Sequence, residues 1–248
     1  MNMLKSLFGT SKLKNPVDLA PVHTDMHSHL IPAIDDGSDS LDTSVELIKG
    51  MAEMGYKKFI TTPHIQGEFY RNTPQNIMLG LEQVRRELKK QHIPIEIEAA
   101  AEYLIDDKFE EKYKNGELLT FGEKYLLVEL SYFNEHPRWK NFIFDLQIDG
   151  YQIILAHPER YSYWFRNFKK YEEMKDRGVL FQMNIISLTG YYSGEVKKMA
   201  ERFIDEGMID LIGTDMHNLH YLDALRAARH EKYLAKLIDS GKLINNTL

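Results

Sequence analysis

At 248 residues, with 43% hydrophobic and 27% charged side chains, the chain can bury a sizeable core and is too apolar for a disordered polymer. Its formal charge of −6 argues against a broad nucleic-acid or anionic-membrane surface, and the absence of cysteine excludes disulfides, thiolate metal sites and cysteine nucleophiles. No apolar run approaches the roughly 20 residues of a bilayer span, so the expectation is a cytoplasmic chain without stable membrane insertion.

The first 20 residues carry no sustained apolar run or small-residue cleavage site and read as an N-terminal tail, leaving 21–248 as a single domain. Strand-like segments follow at residues 22–29, 57–65, 93–102, 125–131, 151–157, 179–186 and 209–215. Most are short, β-branched or aromatic, and show little polar alternation, as expected of parallel strands covered by helices. Helical patterns lie between them. Leu41, Val45, Ile48 and Ala52 share one face, with Gly55 as the C-terminal cap. Thr73 and Pro74 form an N-cap and first-turn pair that leads into Ile77, Leu81, Val84 and Leu88. Trp139, Phe142 and Leu146 mark a third helix, and Val196, Met199 and Phe203 a fourth that stops at Gly207. The stretch 101–122 is poorly periodic. Seven strands with intervening helices predict an α/β fold, either a βα barrel or a doubly wound sheet.

Polar residues gather where these strands end. His27 and His29 are two apart on the first strand, so both side chains point to one face, and Asp215 and His217 repeat the spacing at the last. His64 ends FITTPH, Glu102 ends IEAAAE and His157 ends IILAH. Any one of these alone reads as ordinary loop chemistry, as does Asp35-Asp36-Gly37. Together, at the rim where α/β folds bind ligands, they predict a mixed nitrogen-and-oxygen metal cluster. That many candidates exceed the needs of one ion, so two or three divalent ions are expected. The donor set suits Mn²⁺, Fe or Zn²⁺, and Mn²⁺ is taken as the first choice.

The motifs DMHSHLIPAIDDG, TTPH, AEY, AHPERY and TDMHN, in that order, resemble those of the polymerase-and-histidinol-phosphatase (PHP) family. More narrowly, they resemble the bacterial metal-dependent tyrosine-protein phosphatases of capsule and exopolysaccharide operons. The resemblance spans the chain from about Val22 onward. It implies a distorted seven-stranded, TIM-like (β/α)7 barrel with a trinuclear metal centre. Its ligands would be His27, His29, His64, Glu102, His157, Asp215 and His217, with Asp36 as an eighth and Glu102 as the bridging carboxylate. Asp35 is the less favoured neighbour, and Asn184 takes a position where many relatives carry a stronger ligand. Arg160 matches an arginine used on the phosphate, a role that its planar fork of donors also suits on physical grounds. Relatives often carry a further arginine soon after the DxHN motif; here only Arg226 or His220 offers a substitute.

The implied reaction is hydrolysis of phosphotyrosine by a hydroxide generated at the metal centre, with Asp36 a candidate for proton transfer. The implied substrate is a phosphotyrosine protein, the C-terminal region of a bacterial tyrosine kinase that controls polysaccharide export. A PHP-type small-molecule phosphoesterase, such as a histidinol-phosphate phosphatase, is the alternative. An amidohydrolase-type enzyme and a metal-bearing regulatory module are more distant ones. The aromatic run from Tyr161 to Tyr171 reads as helix packing before it reads as a wall for the substrate ring, because Trp164 and Phe168 are four apart. Tyr191 and Tyr192 are further rim candidates.

Overall fold

In the computed structural model, which describes residues 12–248, short parallel strands alternate with helices along the chain. The expected tail lies outside the described residues up to residue 11. Beyond it, Leu13 and Val17 donate backbone N–H groups to the carbonyls of His230 and Arg229, and Leu19 is buried. The elements are β1 (Thr24–Asp25), α1 (Leu41–Glu53), β2 (Lys58–Thr61), β3 (His64–Ile65), α2 (Pro74–Lys90), β4 (Glu96–Ala99) and β5 (Glu102–Leu104). They continue with α3 (Asp107–Lys114), β6 (Tyr125–Glu129), α4 (Trp139–Ile148), β7 (Gln152–Ala156), α5 (Lys169–Asp176) and β8 (Leu180–Asn184). The last are α6 (Gly194–Asp205), β9 (Leu211–Gly213), α7 (Leu219–Ala228) and α8 (Lys232–Asp239).

Every strand pairing is parallel, in a three-stranded ladder β1-β2-β4 and a six-stranded ladder β3-β5-β6-β7-β8-β9. The seven expected segments are therefore not seven unbroken strands. Segment 57–65 divides into β2 and β3 at Thr62-Pro63, where proline has no N–H to give. Segment 93–102 divides into β4 and β5 opposite that break, although Ala100 N still donates to Thr61 O and Glu102 N to Pro63 O. Between the first and last segments, Asp215 N donates to His27 O and His29 N to Met216 O.

Alternation along the strands sorts the core. Phe59, Leu126, Val128, Ile153 and Leu155 pack with the helices in the larger cluster. Their neighbours Ile60, Leu127, Ile154 and Leu211 join Met26, Ala100 and Phe121 in a smaller cluster on the other face. Both faces are thus apolar, which is why the strand sequences show so little polar alternation. Ile244 and Leu248 pack on the smaller cluster, and buried Asn245 donates to the carbonyls of Thr24 and Ile212 while accepting from Ile212 N.

The helices form where the patterns place them. Thr73 caps α2 in a reciprocal pair with Asn76, and Ile77, Leu81, Val84 and Leu88 are its buried stripe. Trp139, Phe142 and Leu146 are buried on α4, and Val196, Met199 and Phe203 on α6. In the poorly periodic stretch, Asp106 caps the short α3, which buries Phe109 alone, so little apolar spacing is left to read. The aromatic run packs as expected but not as one helix. Tyr161, between two tight 3-10 turns, and Trp164, at the end of the second, are buried, and α5 begins only at Lys169.

Candidate metal centre

The structure brings all eight expected ligands together. Four overlapping groups, His29-Asp36-His64-His217, His27-His29-Asp215, His27-Glu102-His157 and His64-Glu102-Glu129, each place their donor atoms within 4.8 Å of one another. His64 and Glu102 open β3 and β5, while His157, Asp215 and His217 follow β7 and β9. His157 and Asp215 have φ of 34° and 50°, a left-handed backbone that costs about 1–3 kcal/mol per residue.

Neighbouring groups fix which imidazole nitrogen faces the cluster. His27 Nδ1 donates to Gln182 Oε1 at 2.7 Å, His29 Nδ1 to Asp35 Oδ2 at 2.8 Å and His217 Nδ1 to Asp215 O at 2.7 Å. Each ring then turns its Nε2 lone pair inward, as a metal ligand requires. Asp35 is thus a support for His29; it also accepts from His64 N and Gly37 N. Asp36 reaches the cluster from the mouth, 3.5 Å from His64 Nε2 and 3.6 Å from His217 Nε2. Asn184 donates to Asp215 Oδ2 at 2.7 Å and so steadies a ligand candidate.

Glu102 shows most directly that these residues fit a cation. Its Oε2 is buried and has no hydrogen-bond partner among the described residues. Yet His64 Nδ1, His27 Nε2 and His29 Nε2 stand 3.1, 3.3 and 3.5 Å away. Lone pairs converging without hydrogen bonds describe a coordination shell better than a polar network.

Electrostatics follow from the crowding. Burial works against charge on His27, but Glu102 and Asp215 outweigh it and push its pKa up to about 9. His29 is also held well above the ordinary imidazole value, burial again being overcome by Asp35. Burial acts to raise Glu102 and Asp215, but the nearby imidazoles, His27 foremost, hold both well below the usual carboxylate range. His157 is driven down to about 4 by burial, with Arg160 adding to the effect. These carboxylates call for positive charge, which a bound metal cation would supply in exchange for protons.

The cluster opens into a cavity of about 320 Å³ lined by Asp36, His64, Tyr70, Tyr132, Arg160 and Tyr221, among others. Arg160 Nη1 donates to Asp215 Oδ2 at 3.2 Å. Neither Arg226 nor His220, the two candidate substitutes for a second clamp, lines this cavity. Arg226 pairs with Asp223 and faces a cleft beside α1, and His220 is exposed on α7. A larger open cleft of about 530 Å³, beside α3, holds none of the clustered ligands.

Sequence reasoning missed Glu129. It ends β6, its Oε1 lies 3.4 Å from His64 Nδ1, and Gln66 donates to it at 2.7 Å. Burial, then the charge on Glu102, pushes it up to about 7. Its position at a strand C-terminus, in YLLVE, was the available signal. Tyr132, whose ring lies near Arg160, had none, whereas Tyr192, the other ring near Arg160, was among the rim candidates.

The family described as capsular polysaccharide synthesis, CpsB/CapC, matches residues 23–239. The tyrosine-protein phosphatase YwqE of Bacillus subtilis is 29% identical over 197 residues, covering 79% of this chain and 77% of that protein. A crystal structure from the pair YwqE of Bacillus subtilis and CpsB of Streptococcus pneumoniae, described as unique metal-dependent tyrosine phosphatases, superposes with a TM-score of 0.78. It is 25% identical and covers 87% of this chain and 90% of that one. A histidinol phosphate phosphatase from Lactococcus lactis shares the fold at a TM-score of 0.50 and 12% identity, over 86% of this chain and 92% of that one.

Proposed function

The chain belongs to the CpsB/CapC family of capsular polysaccharide synthesis, and from that premise we propose that it is a metal-dependent protein-tyrosine phosphatase. The observation that carries this reading is Glu102 Oε2, buried without a hydrogen-bond partner amid three imidazole nitrogens. In this reading His27, His29, Asp36, His64, Glu102, His157, Asp215 and His217 would hold two or three divalent ions, Mn²⁺ ahead of Fe or Zn²⁺. Such ions, when bound, neutralise phosphoryl charge and make water acidic enough to attack near neutral pH. Arg160 presents guanidinium donors to the phosphoryl oxygens from the same cavity. Tyrosine, with a pKa of about 10, departs with little protonation, and no side-chain nucleophile is required. Asp36, the most exposed of the ligand set, is the group placed to pass a proton at the mouth.

Phosphotyrosine as substrate is supported by the names of the relatives. We extend it to the C-terminal region of a bacterial tyrosine kinase of polysaccharide export, met in the cytoplasm; the capsular description of the family supports that setting. Among the described residues no helix is long and apolar enough to cross a membrane. We also propose that residues 21–248 form one domain whose strand segments close into a barrel, supported by the hydrogen bonds between residues 27–29 and 215–216.

The test is hydrolysis of a phosphotyrosine peptide by the Mn²⁺-loaded chain before and after chelation. Chelation should abolish turnover, and His27→Ala or Asp215→Ala should lower kcat/KM by more than about 100-fold. Arg160→Ala should lower it by about 100-fold while bound metal, measured by elemental analysis, stays constant. Turnover that survives chelation and both ligand changes would refute the site. Faster hydrolysis of histidinol phosphate than of the peptide would refute the substrate.

A further inference from the structure

Arg160 is held in a way that its ion pair alone does not require. Its guanidinium carbon lies 4.5 Å from the centroid of the Tyr132 ring and 4.1 Å from that of Tyr192. The two rings come from distant parts of the chain, Tyr132 just after β6 and Tyr192 in the segment before α6. Each is fixed in turn. Tyr192 OH accepts from Asn184 Nδ2 at 3.1 Å and lies 3.4 Å from Asp215 Oδ2, while Tyr132 stacks on His157 at 5.6 Å and 29°. Among the described residues, the Arg160 side chain makes one hydrogen bond, from Nη1 to Asp215, and its other donors are left for the cavity it lines.

An arginine on a flexible stem loses freedom when it grips a phosphate, and a guanidinium already stacked between aromatic faces has lost most of it beforehand. We propose that Tyr132 and Tyr192 are positioning residues for Arg160: the two rings clamp the guanidinium plane so that its free edge is aimed at a phosphoryl group above the metal ligands. This rests on the phosphatase reading. Neither tyrosine reacts; each acts through Arg160. The ring face does the work, so phenylalanine serves in place of tyrosine and leucine does not.

The experiment is a set of double-mutant cycles on the Mn²⁺-loaded full chain with a phosphotyrosine peptide. Tyr132→Leu and Tyr192→Leu are each expected to lower kcat/KM by about 5- to 20-fold. In an Arg160→Ala background the same changes should cost less than about 2-fold, because the group they position is gone. Tyr132→Phe and Tyr192→Phe keep the ring face and should each lose clearly less than the matching leucine variant, and bound metal should be equal in the leucine variants and the wild type. Equal losses with and without Arg160, loss of metal in the leucine variants, or phenylalanine as harmful as leucine would each overturn the clamp. Titration with inorganic phosphate separates this proposal from the reading beneath it. If the wild type binds phosphate but turns over no phosphotyrosine, the phosphatase reading fails. The clamp then stands if the leucine changes weaken phosphate binding and falls if they leave it unchanged.

Discussion

Asp35 and Asp36 are adjacent and chemically identical, yet they make different contacts. Asp35 turns inward, where its Oδ2 accepts a hydrogen bond from His29 Nδ1 and its Oδ1 accepts from Gly37 N. Burial would raise its pKa, but His29 holds it well below the usual carboxylate range. Asp36 points to the mouth, between His64 and His217. A carboxylate behind a ligand histidine sets its tautomer and ring orientation, so Asp35→Ala should weaken divalent-ion affinity by about 10- to 100-fold in a calorimetric titration. Asp35→Asn keeps an acceptor for the His29 proton and should lose less. Equal losses in the two would show that charge, not orientation, is what Asp35 contributes.

At the scale of elements, close approach decides where ligands stand. Gly213 ends β9 against the first strand segment, and a Cβ there would lie 2.7 Å from His27 Cβ and 2.8 Å from Gln182 Nε2. Gln182 is the group that fixes the His27 tautomer, so a methyl at this position presses on a candidate ligand and its support together. Gly213→Ala should therefore destabilise the fold by about 1–3 kcal/mol in denaturant unfolding and also lower bound metal. A loss of stability with metal content intact would mean that the strand shifts without carrying His27 along. Gly37 makes a comparable approach, 2.3 Å from His29 Cβ for a built Cβ, so the loop bearing Asp35 and Asp36 also closes only over glycine.

Across the whole molecule, the two ends of the strands are specialised. The candidate ligands gather at one end. At the other, Asn245 ties β1 to β9 through three backbone hydrogen bonds, while Ile244 and Leu248 pack on the smaller apolar cluster. Asn245 is fully buried, and its loss strands backbone groups that water cannot reach. Asn245→Ala should cost about 2–4 kcal/mol of unfolding free energy, with metal affinity in the folded protein nearly unchanged. A parallel collapse of metal affinity would show that the two ends are coupled through the strands.

The sequence by itself determined the class of fold and most of the candidate centre. Spacing by two pairs His27 with His29, and Asp215 with His217, in the sequence. Yet β1 ends at Asp25, β9 ends at Gly213 and Asp215 is left-handed, so their convergence is not strand periodicity alone. Thr73-Pro74 starts α2 by local hydrogen bonding. Strand ends could be read because strand chemistry is local, and motif order identified the relatives. What only the tertiary structure decided involves residues far apart in the chain. Glu129 was one acidic residue among 37 until β6 paired beside β5, and the sequence, which favoured Asp36 over Asp35 as a ligand, offered no role for Asp35 before His29 came within reach. Arg226 was a fair candidate until α7 turned it to the far side, and the tyrosines around Arg160 met only when three loops converged. Local spacing fixes where a side chain points along its own strand. Which side chains share a cavity depends on the lateral order and break points of strands, and no local spacing encodes those.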